Sequence, residues 1–251
     1  MDGSPSRRPD ETAVRAWNRD LTDQTAEGIV RWAGHTFGDG LVLSSSFGAH
    51  AAVMLHLVTT VLPKIPVIFI DTGYLFPETY RFAHKLAGDL NLNLHVFTPH
   101  LTTAHQEAIH GRRWEQGEHG VQEYLRENKL EPMRRALHDL GATAWLSGVR
   151  AEQSEHRSNL ATVEIQDGRH KVHPILHWSD ADVESYLQAN DLPHHPLYED
   201  GYRSIGDTHS TLPTVTGQHP REGRILGKKR ECGLHVSLSG AENDSRKSSG
   251  L

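Results

Sequence analysis

Residues 41–73 read LVLSSSFGAHAAVMLHLVTTVLPKIPVIFIDTG. The stretch opens on the short apolar run Leu41-Val42-Leu43. It closes on Ile65–Ile70 (IPVIFI), β-branched and bounded by Pro63, Pro66 and Asp71-Thr72-Gly73. Between them Ala49–Val61 is apolar on most sides, the pattern of a mostly buried helix. Strand, helix and strand in succession make a βαβ unit, and such a crossover implies parallel strands.

The same alternation continues in both directions. From Glu11 to about Phe37, Val14, Trp17, Leu21, Ala26, Ile29, Val30 and Ala33 recur at three- and four-residue steps, which predicts a helical region. Pro77 suits the first position of a helix, whose expected apolar face is Tyr80, Ala83, Leu86 or Ala87, and Leu90. Leu92–Phe97 is a third strand, Met133–Leu140 a helix, Thr143–Val149 a fourth strand, Lys171–Leu176 a fifth and Ser179–Ala189 a further helix. The predicted fold is α/β, a mainly parallel twisted sheet with helices on both faces. The domain reading is a disordered terminus at 1–10, an α/β domain at 11–220 and a mobile tail at 221–251.

Hydrophobic residues at 36% and charged residues at 23% describe an ordinary globular chain. A net charge of −6 argues against nucleic acid as a general partner. No apolar run reaches the roughly 18 residues of a spanning helix. The first thirty residues show no apolar signal core. The single cysteine, Cys232, leaves no partner for an internal disulfide and fits a reducing compartment, so a cytoplasmic location is expected. Nineteen histidines invite a metal site. No metal-ligand spacing is present, His194-His195 and His173 with His177 being the nearest candidates, and no metal is expected.

Ser44-Ser45-Ser46-Phe47-Gly48 follows a strand and opens a helix, where backbone N–H groups and the helix dipole hold anions. Read alone, the segment fits ordinary turn chemistry equally well. Asp71-Thr72-Gly73 and Ser147-Gly148-Val149-Arg150 end two further strands, so three polar loops converge on one sheet edge, which tilts the reading toward a nucleotide site. Neither GxxxxGK[ST] nor GxGxxG is present. Near the C-terminus, Arg221, Arg224, Lys228, Lys229 and Arg230 surround one acid, Glu222, ahead of Cys232. Such neighbours favour thiolate, although Glu231 opposes them.

The serine loop resembles the PP-loop of adenine nucleotide hydrolases (usually SGGxDS), with serines in place of glycines. The chain as a whole resembles the phosphoadenylyl-sulfate (PAPS) reductases, which are sulfonucleotide reductases of the adenine nucleotide α hydrolase-like fold. The matching segments are SSSFGAHAAVMLHL from Ser44, IPVIFIDTGYLFPETYRF from Ile65, WEQG from Trp114 and EPMRRAL from Glu131, then EQS with RSNL near Arg157, HPLYEDGYRSIGDTH from His195 and KRECGLH from Lys229. The resemblance implies reduction of PAPS to sulfite and adenosine 3′,5′-bisphosphate in assimilatory sulfate reduction, with thioredoxin or glutaredoxin as donor. Cys232 is then the nucleophile that becomes an S-sulfonate. With no second cysteine in the chain, the resolving thiol must come from the donor protein.

Substrate contacts are expected from Ser44, Ser45, Ser46, Gly48, Asp71, Thr72, Gly73, Gly148, Arg150, Arg157 and Lys171, and from Arg224, Lys228, Lys229, Arg230 and His235 of the tail. Gly223, Gly227 and Gly233 suggest that the tail closes as a lid. Relatives commonly carry a second arginine where this chain has Ala151, which moves the expectation onto Arg150 and Arg157. Trp114 and Glu115 read as structural. Residues Gly206–Thr211, which in the adenylyl-sulfate (APS) reductase group hold cysteine ligands, contain none here, so no iron–sulfur cluster is expected. The resemblance also allows a homodimer, and involves no membrane. The competing readings are a cluster-free APS reductase, an ATP pyrophosphatase-type ligase and a non-enzymatic nucleotide sensor.

Overall fold

A computed structural model describes residues 10–154, 157–214 and residue 223. Two helices, α1 (Glu11–Asp20) and α2 (Ala26–Phe37), stand where the sequence suggests a single helical region. The break falls at Thr25, whose hydroxyl accepts from Gly28 N and starts a new helix. Then follow β1 (Leu41–Ser45), α3 (Ala51–Val61), β2 (Pro66–Ile70), α4 (Pro77–Asp89), β3 (Asn93–Phe97), α5 (Thr103–His110), α6 (Gly117–Leu125), α7 (Glu131–Asp139), β4 (Ala144–Ser147), β5 (Val163–Gln166), β6 (Arg169–Val172) and α8 (Asp180–Ala189).

The six strands lie in the order β3-β2-β1-β4-β6-β5. All neighbours pair in parallel except the β5–β6 hairpin. Alternate residues of the central strands feed two cores. Leu41, Leu43, Val67, Phe69, Ala144 and Leu146 face the larger one, formed with α2, α3 and α4. Val42, Ile68 and Trp145 face the smaller, capped by Met133, Ala136 and Leu137 of α7. Helices therefore cover both faces, and the central strands are apolar on both sides.

Two details differ from the sequence expectation. The fifth predicted strand stops at Val172, because Pro174 has no N–H to continue a ladder. Its antiparallel partner β5 was not anticipated. On α4 the buried residues are Thr79, Phe82, Ala83 and Leu86, a stripe rotated slightly from the expected one.

Between α6 and α7 the helix widens into a π turn at Arg126–Leu130. Pro132, just inside α7, cannot donate the usual bond to the carbonyl four residues earlier. The wider turn sends Asn128 and Lys129 inward. Asn128 forms a reciprocal amide pair with Gln106 of α5, each bond 3.0 Å, which fixes the turn against the domain.

Candidate active site

In this strand order the chain leaves β1 toward β2 and β3 on one side and returns to β4 on the other. The switch point lies between β1 and β4, the place where open α/β sheets receive ligands. A cleft of about 290 Å³ opens there, walled by the serine loop, the Gly148–Arg150 loop and Arg203–Gly206.

The loop after β1 is shaped by its own side chains. Ser45 Oγ accepts from Phe47 N at 3.2 Å, closing a tight turn. Phe47 takes the left-handed region at φ 49, which costs a non-glycine residue on the order of 1–3 kcal/mol. Its fully buried ring, edge-on to Phe69 at 4.8 Å, holds it there. Ser44 donates to Leu146 O at 3.4 Å, joining β1 to β4, whereas Ser46 is exposed at the cleft. Helix α3 begins at Ala51 with no side-chain cap and no acid in its first turn, so its N-terminal partial charge faces the cleft uncancelled.

Several predicted site residues converge as expected. Ser44, Ser45, Ser46, Gly48, Thr72, Gly148, Arg150 and Arg157 all line the cleft. Arg150 is buried, and its guanidinium is held by Asp180 at 2.5 Å and by Trp178 O at 3.2 Å. Arg157, also buried, donates to Gln153, whose amide oxygen also accepts from Arg150 N. The two arginines are thus placed through one glutamine.

Asp71, Gly73 and Lys171 do not line the cleft. Asp71 shapes its own loop, accepting from Gly73 N at 2.8 Å and from the Tyr80 hydroxyl at 2.6 Å. Gly73 supplies a positive φ of 77. Lys171 is buried on β6, its ammonium over Trp145 and donating to Gln166 at 2.9 Å, behind residues that do line the cleft. Arg224, Lys228, Lys229, Arg230, Cys232 and His235 lie outside the described residues.

Four basic residues that the sequence reading does not assign also reach the cleft: Lys129, Arg134, Arg169 and Arg203. Lys129, Arg134 and Arg203 fall within or beside matched segments, whereas Arg169 opens β6. The signal for Lys129 was Pro132, which forces the π turn that faces it inward. Lys129 Nζ pairs with Asp207 Oδ2 at 2.5 Å, and Thr72 donates to Asp207 Oδ1 at 2.6 Å. Burial alone would push the Asp207 carboxyl up, but the Lys129 ammonium and the Thr72 hydroxyl hold it down at about 2. Asp207 and Thr208 also bridge to Leu75 and Tyr74 by backbone contacts, so the 205–211 segment is docked on the loop after β2. Beside it His209 stacks on Trp114 at 3.9 Å, with Tyr74 and Tyr124 edge-on, which makes Trp114 a packing residue as expected.

The histidines singled out by sequence have separate fates. His195 is fully buried, accepts from Leu197 N at 3.1 Å and meets Thr79 Oγ1 at 3.0 Å, and burial lowers it to about 4. His173 sits 3.3 Å from Glu164, and His177 is exposed.

The sheet order and its switch-point cleft are those of the adenine nucleotide α hydrolase-like class, and an FMN adenylyltransferase from Candida glabrata shares the fold at a TM-score of 0.59 and 17% identity. Residues 40–213 match the model of the phosphoadenosine phosphosulfate reductase domain, and the chain belongs to that family. It is 51% identical to a phosphoadenosine 5′-phosphosulfate reductase of Photobacterium profundum over 87% of this chain and 86% of the relative. Against one from Synechocystis identity is 49%, over 92% and 94%. A PAPS reductase from Candida auris, solved as a phosphate complex, superposes with a TM-score of 0.72 at 31% identity, over 81% of this chain and 98% of that one.

Proposed function

We propose that this chain reduces PAPS to sulfite and adenosine 3′,5′-bisphosphate with thioredoxin or glutaredoxin as reductant, in the cytoplasm and in service of sulfate assimilation. The observation that carries the reading is the cleft itself. Its uncapped α3 N-terminus, serine hydroxyls and buried Arg150 and Arg157 suit a ligand with several anionic groups at one end of the sheet. Lys129, held by Asp207, adds charge from the opposite wall.

In the proposed reaction the Cys232 thiolate attacks the sulfur of the sulfuryl group. The S–O bond to the phosphate breaks, adenosine 3′,5′-bisphosphate leaves with that electron pair, and Cys232 carries the sulfonate. A thiolate of the reduced donor then attacks Cys232 Sγ and expels sulfite. The donor's second thiol resolves the mixed disulfide, so the two electrons come from the dithiol and Cys232 returns to its thiol. No cluster or metal enters the sequence of steps. The basic residues around Cys232 would offset the charge that the bound substrate adds against thiolate formation.

Cys232→Ser tests the nucleophile. It should leave adenosine 3′,5′-bisphosphate binding intact and abolish sulfite release, and substantial residual turnover would sink the assignment. Comparing PAPS with APS, each with reduced thioredoxin, tests the substrate: equal or faster turnover of APS makes this chain a cluster-free APS reductase instead.

A further inference from the structure

We propose that His50, which lines the cleft, together with Glu184 and His194 forms a site for a divalent transition-metal ion of the zinc class. The three residues come from separate places: His50 directly before α3, Glu184 within α8, and His194 in the turn leading to Pro196–Tyr198. One ligand atom from each lies within 4.8 Å of the other two. His194 Nε2 stands 3.1 Å from Glu184 Oε2, and His50 Nε2 stands 3.7 Å from Glu184 Oε1. A tetrahedral ion with bonds of about 2.0–2.1 Å holds its ligands roughly 3.3–3.4 Å apart. The two separations, each to a different oxygen of the Glu184 carboxylate, lie on either side of that value.

The surroundings suit a metal better than a plain ion pair. His50 Nε2 and His194 Nδ1 are buried without hydrogen-bond partners among the described residues. Buried polar nitrogens are rarely left so, and an ion would satisfy the first directly. The groups facing His50 are Arg150, which repels a cation, Glu184 and Asp180, which attract one, and the His194 ring; Arg150 is already paired with Asp180 at 2.5 Å. Outer contacts fix the ligands. The Tyr198 hydroxyl donates to Glu184 Oε1 at 3.2 Å, and the His194 ring stacks on Tyr198 at 4.2 Å.

Three protein ligands leave one coordination position open, as in exchangeable rather than closed structural sites. A bound ion would tie the start of α3 to α8 and to the segment carrying His195, which is anchored to Ala49 O at 3.2 Å. The ligands fall at positions 50, 184 and 194, so no short sequence spacing could reveal them, and the site departs from the expectation that no metal binds.

The test uses Zn²⁺ in competition with a chromophoric chelator, on the full chain carrying Cys232→Ser so that the thiol cannot bind. One Zn²⁺ per chain is expected, with Co²⁺ giving the visible absorption of a four-coordinate site. His194→Gln and Glu184→Gln in that background should each weaken binding by more than the roughly 10–100-fold that loss of an outer partner costs, with unchanged far-UV circular dichroism. Undiminished Zn²⁺ binding in both variants, or no stoichiometric Zn²⁺ binding in the parent, would overturn the proposal. Either result reads binding alone and leaves the proposed reductase activity untouched.

Discussion

Lys129 and Asp207 meet at 2.5 Å in the interior, the carboxylate fully buried and the lysine almost so. Both flank the cleft: Lys129 and Leu130 line one wall, while Ile205 and Gly206, directly before Asp207, line another. The pair, with Thr72, joins the π turn, the loop after β2 and the 205–211 segment in one polar knot.

Removing one partner leaves a buried charge without compensation, a loss of about 3–5 kcal/mol. Asp207→Asn is therefore expected to lower unfolding free energy in guanidinium by that amount. The double variant Lys129→Met/Asp207→Leu, which removes both charges, should recover most of it. A double variant no more stable than Asp207→Asn would show that the pair's packing, rather than its charge balance, holds the segment.

The same carboxylate makes the fold acid-sensitive at the low end. Its pKa falls from the usual value near 4 in the unfolded chain to about 2 in the fold. The resulting stabilisation is fully present above about pH 4 and is lost as pH falls through 2, in total on the order of 2–3 kcal/mol. Unfolding free energies measured between pH 5 and pH 2 should decline in the parent more steeply than in the Lys129→Met/Asp207→Leu variant. Parallel profiles for the two chains would contradict the assignment.

How much of this was legible beforehand depends on range. The central strands could be read because each is a short β-branched or apolar run closed by glycine, proline or a polar turn, and Leu41–Ser45 and Pro66–Ile70 sit where those signals put them. The hairpin β5–β6 was missed although its turn was visible: Asp167 and Gly168, with φ of 50 and 73, are the Asp-Gly pair that two-residue hairpins prefer. The serine loop could be read from residue type and position, and Arg150 and Arg157 from the segments that resemble the family; all of them line the cleft. Lys129 was missed: Pro132 marks the widened helix turn locally, but the partner that holds the lysine, Asp207, lies far along the chain and leaves no local pattern. The displacement of Lys171 has the same origin. Its side of β6 is decided by strand register against Trp145, which motif matching does not carry.

Gly73 gives a purely steric prediction. Its φ of 77 disfavours any side chain, and a Cβ there would lie 2.5 Å from Thr103 Cγ2. Gly73→Ala should destabilise the chain by about 1–3 kcal/mol. In the Thr103→Ser background the contact disappears and only the backbone term, roughly 1 kcal/mol, should remain. A double-mutant cycle in urea measures the difference, and a coupling of zero would mean that the α5 N-terminus moves aside freely.

Arg150 and Arg134 reach the same cleft from opposite conditions, and that difference predicts how they bind a polyanion. Arg150 is 4% exposed and oriented by Asp180 and Trp178 O, whereas Arg134 stands exposed on α7. A buried, pre-oriented guanidinium makes a charge-assisted hydrogen bond of about 1.5–3 kcal/mol, so Arg150→Gln should raise the Kd for adenosine 3′,5′-bisphosphate roughly 10–100-fold. An exposed charge contributes about 0.2–1 kcal/mol, and Arg134→Gln should raise the Kd less than about 5-fold. Salt separates the two mechanisms further. The Arg134 effect should fade as ionic strength rises, because an exposed charge is screened over a Debye length of about 8–10 Å, while the Arg150 effect persists. Calorimetric titrations at low and high salt give both numbers. An Arg150 effect that salt abolishes would mean that its guanidinium acts on the ligand only as part of a diffuse field, with Asp180 rather than the substrate as its working partner.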